Sequence, residues 1–117
     1  MHAYLAVLIR SDAIVACIAL GDANPKCITY TSELEAMGLG DFVGTAGSFS
    51  SLDVGILKLH DKPSEVFDSL LDIGFNAIIL NPVAVEAFAS ENGYSAVSAP
   101  VVIELLRSVS DASCNGV

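Results

Sequence analysis

The sequence predicts one α/β domain built on a mixed sheet of four or five strands, with an amino-terminal hairpin, one βαβ crossover and helices covering the sheet. Three observations carry that expectation. Short β-branched runs bounded by turn residues fill the first third of the chain, a strand–helix–strand pattern occupies residues 53–80, and the rest reads as two helices. The length, 117 residues, is that of one ordinary domain of about 100–150 residues. The domain is assigned to residues 1–110 and a flexible tail to 111–117.

Residues 1–10 are apolar almost all round, which suits a buried strand or a buried helix equally. Ala13–Leu20 is short and β-branched, a buried strand. The turn cluster Gly21-Asp22-Ala23-Asn24-Pro25 follows, and Lys26–Thr31 alternates polar and apolar, so the two runs form an antiparallel hairpin. Ser32 can cap a short helix ending near Met37, with Glu33 and Glu35 at its positive end. Residues 38–51 are rich in Gly and Ser and read as a loop anchored by Phe42 and Phe49. Asp53–His60 reads as a strand, and Pro63 sets the start of a helix whose apolar face is Val66, Phe67, Leu70, Leu71 and Ile73. Gly74 ends it, Phe75–Leu80 is a buried strand, and Asn81-Pro82 opens a helix closed by Gly93. A last helix runs from Ser98-Ala99-Pro100 to about Ser108.

Charge narrows the partners. Five Lys+Arg against 14 Asp+Glu leave a net charge of −9, too acidic and with cations too scattered for nucleic acid or an anionic membrane. The face shared by Glu65, Asp68 and Asp72 admits a basic protein partner. No leader pattern is legible, and Arg10 and Asp12 interrupt the apolar start, so a cytoplasmic setting is expected. The three cysteines are an odd count without a close pair, which argues against a disulfide framework. Cys17 and Cys27 can face each other across the hairpin and read as two small core side chains, with Cys114 exposed in the tail.

Reactive constellations are scarce. The glycines at 38, 40, 44 and 47 miss the dinucleotide spacing, and no Lys-Ser/Thr follows them to make a phosphate loop. No cofactor or metal site and no catalytic residue is assigned. His60 beside Asp61 offers a base and a carboxylate, but neighbours on a strand point to opposite sides. His2 is terminal.

Two segments carry a resemblance. Ile28-Thr29-Tyr30-Thr31-Ser32-Glu33-Leu34-Glu35-Ala36 resembles the strand-to-helix step in the amino-terminal domain of SseB-like proteins, and Ala77-Ile78-Ile79-Leu80-Asn81-Pro82 is similar to that domain's apolar strand ending in Asn-Pro. The match covers roughly residues 13–82, with Tyr30 where a Phe is expected. The resemblance implies a small α/β domain without an established enzymatic site.

The expected function is therefore a non-enzymatic interaction or regulatory module. An apolar content of 53% exceeds the needs of one small core, which points to a homo-oligomer. The candidate interface is Tyr4, Leu5 and Leu8 in the first segment, or Val101, Val102, Leu105 and Leu106 in the last helix, residues that suit the chain's own core at least as well. The alternative is a small-ligand binder or hydrolase. Its site would gather His60, Asp61, Asn81 and the 38–51 loop at the carboxy ends of the parallel strands.

Overall fold

The first ten residues decide the architecture. The computed structural model describes residues 1–72 and 76–115, with side chains through residue 109 apart from that of residue 76. In it His2–Ile9 is a strand, β1, with seven of its eight residues buried. Ala3, Leu5, Val7 and Ile9 enter one apolar cluster, while Tyr4, Ala6 and Leu8 enter another on the opposite face. A strand covered on both sides has no polar alternate, which is why its sequence shows no period. Ile14–Leu20 forms β2, Lys26–Tyr30 forms β3, Ser51–Lys58 forms β4 and Asn76–Ile79 forms β5. They make one five-stranded sheet in the order β3-β2-β1-β4-β5. β2 is antiparallel to both β1 and β3, whereas β4 is parallel to β1 and to β5. The mixed sheet, the hairpin and the βαβ crossover are thus as the sequence predicts.

Helices lie on both faces. α1 (Glu33–Ala36), α2 (Leu39–Thr45) and α3 (Glu65–Asp72) cover one, through Ala36, Leu39, Val66 and Leu70. α4 (Pro82–Glu91) and α5 (Ala99–Asn115) cover the other, through Val85, Val102, Ile103 and Leu106. Local chemistry sets the starts. The Ser32 hydroxyl accepts from the Glu35 N–H at 3.1 Å, and the Thr31 hydroxyl donates to the Glu35 carboxylate at 2.6 Å. Asn81 Oδ1 accepts from the Val83 N–H at 2.9 Å, with Pro82 in the first turn. Gly55 lies where α5 crosses β4. A Cβ there would come within 3.1 Å of Leu106 and 3.2 Å of Val102, so the glycine sets how closely the helix packs. Arg107 fastens the same helix to the β2–β3 turn. It donates to the Gly21 carbonyl at 2.9 Å and the Ala23 carbonyl at 2.7 Å, and its guanidinium lies 5.8 Å from the Tyr4 ring centroid.

Four expectations need correction or limits. The 38–51 segment is not a plain loop, because Leu39, Phe42 and Val43 recur at helical spacing and bury against the sheet as α2 despite the glycines. α5 continues to Asn115, over five residues expected as tail, while residues 116–117 lie outside the described residues, as do the helix stop at Gly74, the strand start at Phe75 and the Cys114 side chain. The candidate interface is spent inside the chain. Tyr4, Leu5, Leu8, Val101, Val102 and Leu106 are buried in the core, and Leu105 packs half-buried against it. Finally, Cys17 and Cys27 are bonded to each other. The β2–β3 register sets them directly opposite with Cα atoms 4.0 Å apart, Cys17 buried and Cys27 exposed on the edge strand.

Two measurements check this arrangement. Thiol titration of the denatured, unreduced chain should return one free thiol, rising to three after reduction. Gly55→Val should lower unfolding stability by roughly 1–3 kcal/mol, because the valine methyls must displace Leu106 and Val102; an unchanged midpoint in urea would show that the α5 packing is looser than described.

Candidate functional site

The carboxy ends of β1, β4 and β5 lie at one end of the sheet. From there the chain leaves β4 toward α3 on one face and leaves β5 toward α4 on the other. Diverging connections of this kind open a crevice, the usual ligand position in α/β sheets. Two clefts flank it. One, of about 190 Å³, is lined by Arg10, Asp12, Thr31, Glu33, His60 and Lys62. The other, of about 700 Å³, lies toward α4 and is lined by Arg10, Leu59, Pro82, Glu86, Ser90 and Tyr94 among others. Arg10, just past the end of β1, lines both. It is exposed, and its guanidinium has no hydrogen-bond partner among the described residues.

The sequence-predicted residues are separated here. His60 lines the smaller cleft, and its Nδ1 accepts the Lys62 N–H at 3.1 Å. That bond uses one ring nitrogen on the local turn and places the neutral proton on Nε2. Asp61 is exposed and lines neither cleft. Asn81 caps α4 beside the larger cleft, its carbonyl oxygen already occupied. The 38–51 segment crosses one face of the sheet as α2 and reaches its other end, where the Ser50 N–H donates to the Met1 carbonyl at 2.9 Å. Neither cleft gathers His60, Asp61, Asn81 and that segment. What the strand ends do bring together is Arg10 and Lys62, two of the chain's five Lys+Arg residues. The Glu33 carboxylate in this cleft accepts from the Val66 N–H at 3.2 Å, so part of its charge is taken up at the start of α3. Asp12 lines the same cleft, so two carboxylates face two cations there, and an anion's hold would rest on the Arg10 guanidinium. The Thr31 hydroxyl in the cleft's lining donates to the Glu35 carboxylate at 2.6 Å, but that bond belongs to the start of α1.

A second cluster escaped the sequence reading. His2 Nε2 pairs with Asp53 Oδ2 at 2.9 Å, and His2 Nδ1 bonds the Ser51 hydroxyl. The Tyr4 ring meets the imidazole edge-on at 4.8 Å. These are the residue types of an acyl-transfer triad. The parallel register explains the cluster: His2 is opposite Ser51, and Asp53 lies two residues further along the same face of β4. The only sequence signal was the Ser-x-Asp spacing at the start of β4, and its meaning depends on which strand pairs with it. Neither cleft reaches the cluster, which sits at the amino ends of β1 and β4. Its evident role is to tie those strand starts together. Elsewhere, the Tyr30 phenol is pushed above its ordinary pKa, first by burial and then by the Asp41 carboxylate, which keeps it a neutral core ring.

The wild-type chain should accordingly not be labelled by a fluorophosphonate probe; an adduct on Ser51, found by peptide mass spectrometry, would make the cluster a nucleophile rather than a tie. No protein-family model matches this sequence, and no curated protein is similar to it, so the argument for function rests on the chain's own geometry.

Proposed function

We propose that the chain is a non-enzymatic interaction module that associates with a second copy of itself through the β5 edge of its sheet. The supporting observation is the contrast between the two edges. β3 carries Lys26 and Thr29 exposed and is stapled to β2 by the disulfide. Charged residues of this kind are how proteins blunt an edge. The described side chains of β5 include no such guard. Ile78 is 40% exposed and Ile79 58%, and Leu71 on α3 and Val83 on α4 are exposed too. Ala77 packs with the first apolar cluster and Leu80 with the second, so Ile79 and Ile78 project to opposite faces of the strand.

The backbone of this strand supports the same reading. The Leu80 N–H donates to the Ile56 carbonyl at 2.9 Å, so Leu80 and, by alternation, Ile78 turn their peptide groups toward β4. Ala77 and Ile79 turn theirs outward. Two copies related by a two-fold axis would pair these groups antiparallel and cover Ile78, Ile79, Leu71 and Val83 from both sides. With a net charge of −9 on each copy, salt should favour the association by screening repulsion. The exposed acidic face at Glu65, Asp68 and Asp72 leaves room for a basic partner on the assembled pair. Among the described residues no helix is long and apolar enough to cross a membrane. Disulfides persist in oxidising compartments, so the Cys17–Cys27 bond weighs against the cytoplasmic setting expected from the sequence.

A second reading, binding of a small anion at the strand ends, is favoured by the unpartnered Arg10 between its two clefts. Sedimentation equilibrium separates the two. The wild-type chain should be a dimer at micromolar concentration, and Ile79→Lys should be a monomer with an unchanged circular dichroism spectrum. A wild-type monomer that binds inorganic phosphate, and loses that binding in Arg10→Ala, would replace the first reading with the second.

A further inference from the structure

On the face of the sheet covered by α1, α2 and α3 lies a cavity of about 350 Å³. Its floor is Leu5 and Leu52, and its walls include Leu39, Val43, Phe49 and Leu70. It is half-open to solvent, a pocket between the helices and the sheet rather than a sealed void. At about 30 Å³ for a group the size of a water, this one holds roughly a dozen methylene-sized groups. Among the described residues no charged one lines it, and Ser69 contributes the only side-chain hydroxyl.

The glycines of α2 are an independent observation. Gly40 and Gly44 both line the cavity, one helical turn apart, and a Cβ built on either meets nothing within 4 Å. Neither has the positive φ that would call for glycine, unlike Gly21, Gly47 and Gly93. Glycine is a poor residue for a helix interior. Two of them in a helix of seven residues, where neither backbone conformation nor packing demands them, leave the mouth of the cavity open.

We infer that this cavity is a binding site for a slender, uncharged apolar molecule of about ten carbons, a medium-chain alcohol or acyl ester, which enters between Gly40 and Gly44. The chain lies against Leu5 and Leu52, and the polar end stays at the rim near Ser69 and the exposed Met37. A free fatty acid is disfavoured, because no Lys or Arg lines the site to meet its carboxylate. The site is on the opposite face of the sheet from α4 and α5 and does not depend on the β5 edge being an interface.

The test is displacement of the fluorescent probe N-phenyl-1-naphthylamine, in the wild-type chain and in the Ile79→Lys variant. In both, 1-decanol should displace the bound probe, and decanoate should do so at least about ten-fold more weakly. Gly44→Leu should weaken 1-decanol binding by about ten-fold or more. Its thermal midpoint should not fall, since leucine is the better helix former. Glu91→Ala, at an exposed position of α4 outside the cavity lining, should leave 1-decanol binding unchanged. Absence of probe binding by the wild type would overturn the inference. So would undiminished 1-decanol binding by a folded Gly44→Leu variant, or decanoate binding equal to that of 1-decanol.

Discussion

Everything else in the molecule follows from β1 being apolar on both faces. A strand with a polar side can lie at an edge or under water; His2–Ile9 can do neither. It takes the centre of the sheet, where β2 satisfies one of its sides and β4 the other. Both faces must then be roofed, which explains why a chain of 117 residues carries helices on either side rather than on one. Burying a medium-sized aliphatic side chain is worth about 1.5–3 kcal/mol, so the row of such residues in β1 alone outweighs any single polar contact in the structure. The apolar excess that suggested a partner is largely absorbed by this two-sided core.

Part of what remains of that excess lies where the core runs out: at β5 the sheet has no further strand among the described residues, and at α2 an apolar pocket opens. The polar devices are spread differently. Arg107 secures the turn between β2 and β3, the disulfide binds that hairpin, and the His2 cluster joins the starts of β1 and β4. The first two lie on the β3 side, and the third joins the amino ends of the parallel pair β1 and β4.

The sequence showed local structure well and pairing badly. Ser32 and Asn81 could be read as caps because capping is a short-range event between residues two or three apart. The hairpin was legible from its turn cluster, and the βαβ unit from its spacing. β1 was ambiguous for a physical reason: full burial erases periodicity. α2 was missed because glycine was given more weight than the recurrence of Leu39, Phe42 and Val43. The site residues show another limit. His60 and Asn81 were correctly placed at strand ends, yet each is already engaged with the nearest backbone N–H, which strand positions alone do not reveal. The His2–Ser51–Asp53 cluster depends on a register between segments about fifty residues apart, which the sequence does not encode locally.

The hairpin disulfide is lopsided. One half, Cys27, faces solvent from the outermost strand, while the other, Cys17, is fully enclosed. A small thiol arriving from solution meets Cys27, which would make Cys17 the departing sulfur. Its negative charge would then have to appear among aliphatic side chains, where a thiolate is poorly stabilised and leaves slowly. The bond is therefore protected by the surroundings of its inner half, and loosening β3 from β2 is the event that would remove that protection.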